Sequence, residues 1–482
     1  MKSTNGTTNK TTHDTTSDAA RDARRLRTVT WVVALATMGL VFDGYDLVVY
    51  GAVVSTFLRD PSHIGQVTPA IAGMLGSYAL IGVMVGALLA GAVGDILGRR
   101  KVMLLSYAWF SAGMALTAMT TSSAVFGALR FCTGLGIGAL LATTAALVAE
   151  YAPKGRKNTI NAITNGGIPL GSLLAALLAI VLMHDIGWRG LFWIGALPAI
   201  TLLPLAWFKM PESVAWLAAR GRLDEARALS ERTGVDLPEA APSHAAAPTP
   251  ADVGKDTSKV GFAGLFSADY LIPTLVLGLM SATGLMLVYS LNTWLPEIML
   301  RAGFNAKGSL SFLAVLNGGS LFGALAASQA ADRFGPKPVV AGCFAVGAIA
   351  LLLLTLGFPL AGLLVVVAVV GLGTSGTQTL IYGFVANYYR TNVRAAGVAW
   401  CAGFGRLGGI GGPVLGSTMI GAGLALDAIF YVLAALALVG AVLTLLVPVA
   451  RAQRERQRAG ADRSLAPGLS PGLSPTLVKT TA

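Results

Sequence analysis

Two aspartates lie at the centre of a long apolar segment, residues 31–57, within the sequence Asp43-Gly-Tyr-Asp46. An ionised carboxylate at that depth in a membrane costs about 2.5–3.5 kcal/mol, and a carboxyl group avoids this cost by taking up a proton. The spacing puts both side chains on one helix face, which Tyr50 continues. This pattern predicts a protonatable site. Gly44 permits a local irregularity, and in the structural alternative one Asp is neutral or caps a broken helix.

Histidine is the other common proton carrier near neutral pH. The four histidines fall in loops or at helix ends, so the sequence predicts no buried histidine relay. Proton coupling is therefore expected to use Asp43 and Asp46, which are the only carboxylates at mid-depth of an apolar segment.

Two arginines also lie inside apolar segments, Arg130 in the fourth and Arg406 near the centre of the eleventh. A buried guanidinium needs a partner, and its planar fork matches a carboxylate. Either Arg could pair with an aspartate or bind a carboxylate substrate, and for Arg130 both roles stay open. The substrate role is favoured for Arg406, because it lies in the other half of the chain from the aspartates. Four glycines around it are expected to open space: Gly403, Gly405, Gly408 and Gly409.

Aromatic and amide side chains occur together in two other apolar segments. Tyr289 and Asn292 are three residues apart in the seventh, and Gln378 and Tyr382 lie in the tenth. An aromatic wall with a few polar groups suits a planar ligand. The alternative is an aromatic belt at the membrane interface, which is favoured for Trp294 near the end of its segment.

The elements that must position these side chains are membrane spans. Of the 482 residues, 54% are hydrophobic and 12% are charged, whereas a soluble domain carries about 25% charged residues. This composition argues against a secreted enzyme, a nucleic-acid binder and a Rossmann oxidoreductase. Because about 20 apolar residues make one span, twelve helices are expected. The apolar segments are residues 31–57, 69–92, 101–120, 124–150, 158–183, 189–208, 270–299, 309–331, 338–357, 361–387, 395–422 and 427–449.

The two halves of the chain repeat: Gly82 recurs as Gly319 and Asp95 as Asp332, each 237 residues later. A constant separation predicts parallel repeats, with the substrate site near the midplane between them. The expected fold class is an all-α membrane protein with twelve transmembrane helices in two pseudo-symmetric six-helix bundles. The expected organisation is a cytoplasmic N-terminal tail (1–30), a first bundle (31–208), a cytoplasmic central loop (209–268), a second bundle (269–450) and a disordered cytoplasmic tail (451–482).

The distribution of Lys and Arg predicts the orientation. If both termini are cytoplasmic, 29 of the 35 basic residues lie in cytoplasmic segments and 4 in external loops, which follows the positive-inside rule. The net charge of +12 is spread over short loops and tails. We do not expect it to line one folded face, so nucleic acid is not an expected partner. The three cysteines give neither a disulfide framework nor a zinc spacing, and no metal site is expected.

A glycine-rich loop between the second and third spans carries one acid and several basic residues. Glycines allow a tight turn, and a carboxylate there can cap a helix N-terminus and pair with an Arg of a neighbouring helix. We expect a latch that breaks and reforms as the halves move; the alternative is a purely topological role for the basic residues. The expected latch residues, with their repeat in the second half, are Gly91, Asp95, Gly98, Arg99, Arg100, Asp332 and Arg333.

These motifs resemble the major facilitator superfamily over nearly all of residues 30–450. The resemblance rests on the glycine-rich loop, the Arg130 segment, the sequence Glu150-Tyr-Ala-Pro and the sequence Pro211-Glu-Ser. The chain departs from the family pattern in the second loop, Phe334-Gly-Pro-Lys-Pro, which is poorer in Arg than the first.

Within that superfamily the chain resembles the aromatic acid:proton symporter family. Three sequences carry this resemblance: Asp43-Gly-Tyr-Asp46, Leu291-Asn-Thr-Trp-Leu-Pro296 and Gly405-Arg406-Leu-Gly-Gly-Ile410. It implies that the two aspartates form the family's acidic motif of the first helix. It also implies that Arg130 and Arg406 are the family's buried arginines, and that Asp332 is its loop acid between helices 8 and 9.

We therefore expect a proton-coupled transporter, and no enzyme, that imports a small aromatic carboxylate of the benzoate or hydroxybenzoate type by alternating access. The proton gradient is the expected driving force, with no cofactor. The expected location is a bacterial-type inner membrane, where the chain is a monomer in the lipid bilayer. The alternatives are a symporter for a phthalate, a nicotinate-like acid or a dicarboxylate, and a transporter-like sensor. The expected substrate-binding residues are Arg406, Arg130, Tyr289, Asn292, Gln378 and Tyr382.

Overall fold

The computed structural model describes residues 8–153, 157–237, 262–268 and 270–448. The described residues form 17 α-helices, with two short 3₁₀ turns (Leu197–Ala199 and Leu354–Leu356) and one π-helical segment (Leu372–Gly376). The α-helices are α1 (Thr8–Arg59), α2 (Pro69–Leu97), α3 (Arg99–Met119), α4 (Ser123–Tyr151), α5 (Lys157–Asn165), α6 (Gly167–Gly195), α7 (Leu202–Lys209), α8 (Val214–Ala219), α9 (Leu223–Thr233), α10 (Phe262–Leu265), α11 (Leu271–Arg301), α12 (Ala306–Phe334), α13 (Pro336–Leu353), α14 (Leu360–Gly371), α15 (Thr377–Tyr388), α16 (Thr391–Gly421) and α17 (Leu426–Leu446).

Ten helical segments of the described chain are long and apolar enough to cross a membrane. Two further spans complete the predicted twelve. The backbone of Gly187, at φ 64°, interrupts α6, and the chain continues from there through α7 as a separate span. The other is α16, which has 31 residues but whose glycines and Arg406 lower its mean hydropathy. The twelve-helix prediction is confirmed, although the fifth and sixth spans are divided by a kink where we expected a loop.

The repeated glycines make the same helix contact in both halves of the chain. A Cβ on Gly82 would lie 2.2 Å from the carbonyl oxygen of Phe131, where α2 crosses α4. A Cβ on Gly319 would lie 2.2 Å from the carbonyl oxygen of Ala368, where α12 crosses α14. Both residues of the second pair stand 237 positions after those of the first. Membrane helices approach closely where small residues face each other, so the sequence repeat is a repeat of backbone packing.

The turns that follow these two helices are repeated as well. Both α2 and α12 have 29 residues, and each ends at a glycine with a positive φ, 96° at Gly98 and 86° at Gly335. A side chain strains that backbone conformation, whereas glycine adopts it freely. The next helix begins at once, at Arg99 and at Pro336.

The first half, α1 to α7, meets the second half, α11 to α17, through the pairs α1–α11, α2–α16 and α6–α12. The Ser77 hydroxyl donates to the Ile410 carbonyl oxygen at 2.7 Å, and a Cβ on Gly51 would lie 1.9 Å from the Asn292 carbonyl oxygen. These contacts lie between the middle of the helices and the end where α1 finishes, at Arg59. We call this end the closed end.

The opposite end, where α2 turns into α3, is the open end. Within the described residues, α5 packs on α1, α4 and α6, and α15 packs on helices α11, α12, α13 and α16 of its own half. These two helices therefore make their main contacts within their own halves, whereas the halves meet each other towards the closed end.

A buried carboxylate joins the two halves at the closed end. Glu297 of α11 is 2% exposed. Its carboxylate accepts hydrogen bonds from Arg59 of the first half (Nη1–Oε2, 2.9 Å) and from Arg301 on its own helix (Nε–Oε1, 2.9 Å). Glu297 is not among the residues predicted from the sequence, although it is a lone Glu within an apolar segment, like the two aspartates of the first segment.

Replacing Glu297 with Gln is expected to shift the protein towards the conformation in which the closed end opens. The substitution removes one charge from hydrogen bonds worth about 1.5–3 kcal/mol each, so the open fraction should rise at least tenfold. The measurement is the distribution of distances between spin labels at residues 62 and 302, with the three native cysteines replaced by Ser. Asp427→Asn, an exposed carboxylate at the same end, is the matched control. Equal distributions in Glu297→Gln and the control would contradict this role of Glu297.

Candidate functional site

Asp46 and Arg130 form a buried ion pair in the first half. The Nη1 group of Arg130, on α4, donates to Oδ1 of Asp46, on α1, and the two side chains are 3% and 4% exposed. The guanidinium carbon lies 5.4 Å from the centre of the Tyr50 ring, and the Tyr50 hydroxyl donates to the carbonyl oxygen of Ala72. Of the two roles left open for Arg130, the geometry favours the structural ion pair.

The helix that carries both aspartates is continuous. α1 runs through Gly44 without a break, so the structural alternative of a broken helix at this position is not observed. The glycine serves close packing: a Cβ on Gly44 would lie 1.9 Å from the Ile168 carbonyl oxygen of α6. This contact fixes the face of α1 on which Asp43 and Asp46 stand.

Asp43 and Arg406 lie across the interface between the halves. The Asp43 residue is 8% exposed, and its carboxylate interacts electrostatically with Arg406 and with Asp46. Arg406 of α16 is partly exposed. Among the described residues it has no carboxylate within ion-pair distance, in contrast to Arg130. This guanidinium is the strongest indication that the site binds an anion, because a charge at mid-depth favours a counter-charge.

Two tyrosines complete the surroundings of Arg406. Tyr289 of α11 is close enough to interact with Arg406, Asp43 and Tyr382, and both tyrosines are partly exposed. A Cβ on Gly409 would lie 2.9 Å from the Tyr289 ring, so the glycine leaves room for that ring beside the arginine. The two predicted aromatic residues are thus brought together with the arginine and one aspartate.

The prediction that the four glycines open space around Arg406 is only partly correct. A Cβ on Gly405 would lie 2.4 Å from Ser281 Oγ, and one on Gly408 would lie 1.9 Å from the Ala282 carbonyl oxygen. These two glycines let α16 approach α11. Only Gly403 among the four has open space around its Cα. Their main effect is to hold the arginine close to the tyrosine-bearing helix.

Gln378 stands behind Tyr382. Its Nε2 group lies 3.2 Å from Ser281 Oγ, its Oε1 atom is buried without a hydrogen-bond partner, and the residue is 7% exposed. The π-helical segment Leu372–Gly376 comes just before it, and such segments are frequent at functional sites. This segment was not predicted, and its only indication in the sequence is the cluster of glycines in Gly371-Leu-Gly-Thr-Ser-Gly376.

Asn292 is held inside the second half. Its Nδ2 group donates to the Val288 carbonyl oxygen at 2.8 Å, and its Oδ1 atom accepts from Asn317 Nδ2 at 2.9 Å. The residue is 2% exposed. In this conformation its amide therefore links α11 to α12, and its predicted contact with a ligand needs a rearrangement.

Trp294 does not lie in an interfacial belt, which corrects that expectation. The residue is 1% exposed, and its indole N–H donates to the Pro413 carbonyl oxygen at 2.8 Å. A Cβ on Gly416 would lie 2.1 Å from the indole ring. The ring fills the gap between α11 and α16 near the closed end.

The ion pair that was predicted for the glycine-rich loop of the first half is present at the open end. Asp95 Oδ1 lies 2.9 Å from Arg99 Nη2, and Arg99 Nε lies 3.8 Å from Glu150 Oε1. The carboxylate of Glu212, which sequence analysis did not select, accepts the backbone N–H of Arg100 at 3.0 Å. It thereby caps the start of α3 and docks the segment after α7 on the turn.

The other latch residues are placed differently. Gly98 provides the turn, and a Cβ there would lie 2.5 Å from the Glu212 carboxylate, whereas Gly91 has open space around it. In the second half Asp332 and Arg333 are exposed, and neither makes an ion pair among the described residues. The turn is duplicated but its ion pair is not.

A family model described as "Sugar (and other) transporter" matches residues 32–455. The benzoate transport protein of Acinetobacter baylyi is 33% identical over 80% of this chain and 82% of its own length. The gentisate transporter of Corynebacterium glutamicum is 31% identical over 83% of this chain and 84% of its length. The gallate transporter of Pseudomonas putida is 31% identical over 85% and 90%.

Solved structures with a similar fold include the xylose transporter of Escherichia coli in a partially occluded inward-open conformation. It superposes with a TM-score of 0.67 at 17% identity, covering 87% of this chain and 99% of that one. At that identity the likeness concerns the fold, which is that of the major facilitator superfamily. The match over most of the chain, the relatives above 30% identity and the twelve-helix architecture lead to one assignment: the chain is a multi-pass membrane protein of the Sugar (and other) transporter family.

Proposed function

We propose that this protein imports a small aromatic monocarboxylate together with a proton by alternating access. The observation that carries the proposal is Arg406, a mid-depth guanidinium that is partly exposed and has no carboxylate within ion-pair distance among the described residues. Its fork suits a carboxylate, and Tyr289 and Tyr382 next to it suit a planar ring. The names of the relatives, benzoate, gentisate and gallate transporters, support an aromatic acid as the substrate.

The charges of the site provide a coupling mechanism. With both aspartates ionised, Asp43 and Asp46 balance Arg130 and Arg406, and an added carboxylate would leave a net negative charge in a region of low dielectric. When Asp43 takes up a proton, one positive charge remains at Arg406 and a monocarboxylate restores neutrality. Proton and substrate therefore favour each other's binding, and this mutual effect is necessarily reciprocal. Asp46, held by Arg130, keeps its charge throughout.

The orientation follows from the basic residues of the loops. We place both termini in the cytoplasm of a bacterial cell and the protein in the inner membrane, as a monomer. The open end then faces the cytoplasm, and the conformation is inward-facing, ready to release substrate. The proton gradient supplies the driving force, and we propose no cofactor.

The segment after α7, which Glu212 docks on the α2–α3 turn, is proposed to act on the conformational change of the transport cycle. Asp95 is 70% exposed on its side chain, and an exposed ion pair contributes about 0–1 kcal/mol. Glu212 caps α3 and contributes about 0.5–2 kcal/mol by that contact. Of the two carboxylates, Glu212 is therefore the stronger part of the latch.

Uptake by the protein in vesicles should favour benzoate and hydroxybenzoates over aliphatic acids, phthalate and nicotinate. Arg406→Lys keeps the positive charge but loses one of the two hydrogen bonds that a guanidinium donates to the substrate carboxylate. Such a bond is worth about 1.5–3 kcal/mol, so the apparent affinity for substrate should fall about 10- to 100-fold. Arg394→Lys, an exposed residue of the same helix, is the control. Unchanged uptake by Arg406→Lys at low substrate would remove Arg406 from the binding site, and a preference for aliphatic acids would refute the aromatic assignment.

Replacement by Asn should affect proton coupling at Asp43 and the stability of the protein at Asp46. Asp43→Asn imitates the protonated state, so exchange between pre-loaded vesicles should persist while accumulation driven by a pH step is lost. Asp46→Asn leaves Arg130 buried without its partner and should destabilise the protein by about 3–5 kcal/mol. Adding Arg130→Gln should recover part of that stability in thermal unfolding. Proton-driven accumulation by Asp43→Asn, or equal stability of the two single variants, would contradict this division.

Glu212→Gln is expected to lower the turnover of transport by about 3- to 30-fold, from its capping energy, with little change in substrate binding. Asp95→Asn should have a smaller effect, because its ion pair is exposed. The measurements are initial uptake rates beside equilibrium binding, with Glu231→Gln on the exposed face of α9 as the control. If substrate binding falls in proportion to the uptake rate, Glu212 maintains the structure of the substrate site, and its proposed role in the conformational change is wrong.

A further inference from the structure

A cavity of about 1000 Å³ lies at the open end of the first half, away from the central site. It is formed by the first turns of the membrane-spanning part of α1, the start of α3, the end of α7 and helices α8 and α9. The proposed transport cycle uses one lining residue, Glu212, but gives the cavity itself no role. The charged residues that line it are Arg24, Arg27, Arg100, Lys101, Lys209, Glu212, Arg222, Glu225 and Arg232.

The cavity is strongly basic, which corrects the expectation that the basic residues do not line one folded face. Seven of its charged side chains are basic and two are acidic. Both acids are already engaged: Glu212 accepts backbone N–H groups, and Glu225 pairs with Arg222 at 2.6 Å. Among the described residues, six of the basic side chains make no ion pair. They are Arg24, Arg27, Arg100, Lys101, Lys209 and Arg232, of which Arg100 donates to the carbonyl oxygen of Trp207.

The position of the cavity is that of a membrane surface. Lys209 ends α7, and its ammonium lies 5.7 Å from the centre of the Trp31 ring, which also lines the cavity. Phe208 and Leu97, at the ends of α7 and α2, line it too and are 80% and 41% exposed. Tryptophan and basic side chains at helix ends are typical of the level of lipid headgroups. A ligand there meets cations on the polar side and apolar side chains on the other.

We propose that this cavity binds a phosphate group, which we assign to the headgroup of an anionic phospholipid of the surrounding membrane. Several unpaired Lys and Arg provide the charge-assisted hydrogen bonds that phosphate oxygens accept. Basic pockets next to transmembrane helices attract anionic headgroups at about 1 kcal/mol per Lys or Arg. The exposed Phe208 and Leu97 favour a lipid over a free phosphate, since they would contact its glycerol and acyl region.

The bound lipid would join three parts of the first half that carry the latch. Arg27 belongs to α1, Lys101 to α3 and Arg232 to α9, and the chain between α7 and α9 includes Glu212. A headgroup that these cations share would therefore hold the docked segment on the α2–α3 turn. The lipid composition of the membrane would then influence the stability of the first half.

The test compares two double variants that lose the same charge. Arg27→Gln with Lys101→Gln removes two cavity cations, and Arg227→Gln with Arg394→Gln removes two exposed cations outside the cavity. Purified full-length protein in neutral detergent is titrated with phosphatidylglycerol, phosphatidylcholine or inorganic phosphate. Binding is followed by native mass spectrometry and by the midpoint of thermal unfolding. The cavity variant should bind phosphatidylglycerol about 30-fold more weakly, about 2 kcal/mol at about 1.4 kcal/mol per tenfold change.

Wild type and the control variant should bind phosphatidylglycerol equally and more tightly than phosphatidylcholine. Equal weakening in both double variants would mean attraction by net charge alone and would overturn the site. Stabilisation by inorganic phosphate that the cavity variant loses, with no preference for phosphatidylglycerol, would overturn the lipid assignment in favour of a soluble anion. Lys209→Gln with Arg232→Gln, which removes two other cavity cations from α7 and α9, should reproduce the loss. Wild-type affinity in both cavity variants would refute the proposal.

Discussion

A charge inside a membrane must find a counter-charge, and the structure of this protein depends on how two arginines meet that constraint. Arg130 is paired with Asp46 and is almost fully buried. Arg406 is partly exposed and has only the longer-range field of Asp43. Because separating a buried pair leaves an uncompensated charge, the first arginine is a fixed part of the first half. Arg406, in contrast, has no close carboxylate among the described residues, so its guanidinium is available to bind an anion.

The scaffold keeps these charges apart. Close backbone contact at glycines, such as Gly44 against α6 and Gly408 against α11, fixes the faces on which Asp43 and Arg406 stand. The two groups come from opposite halves, so their separation changes whenever the halves rock about the site. An electrostatic pair that spans a moving interface is a natural point at which protonation and conformation can be linked.

Much of this arrangement could be predicted from the sequence, because its cause is local. Apolar segments of sufficient length become spans, a buried Asp or Arg is conspicuous in them, and the repeated glycines mark helix crossings. What could not be predicted depends on which distant groups meet. The sequence left open whether Arg130 pairs with an aspartate, and it did not indicate that Asn317 binds Asn292 or that Trp294 is buried against Pro413. These contacts arise from packing between segments far apart in sequence. The contact of Glu212 with α3 and the basic cavity were not predicted for the same reason, because loop and tail segments far apart in sequence fold against one surface.

The equal packing of Gly82 on Phe131 and of Gly319 on Ala368 has a consequence for symmetry. By the same register, the position equivalent to Arg130 in the second half is Val367, which is 1% exposed. The duplicated frame therefore carries charges that were not duplicated. A symmetric frame alone would present the same chemistry to both sides of a ligand on its axis. Here the charges on the two sides differ. The site therefore favours one orientation of an elongated ligand that carries its charge at one end.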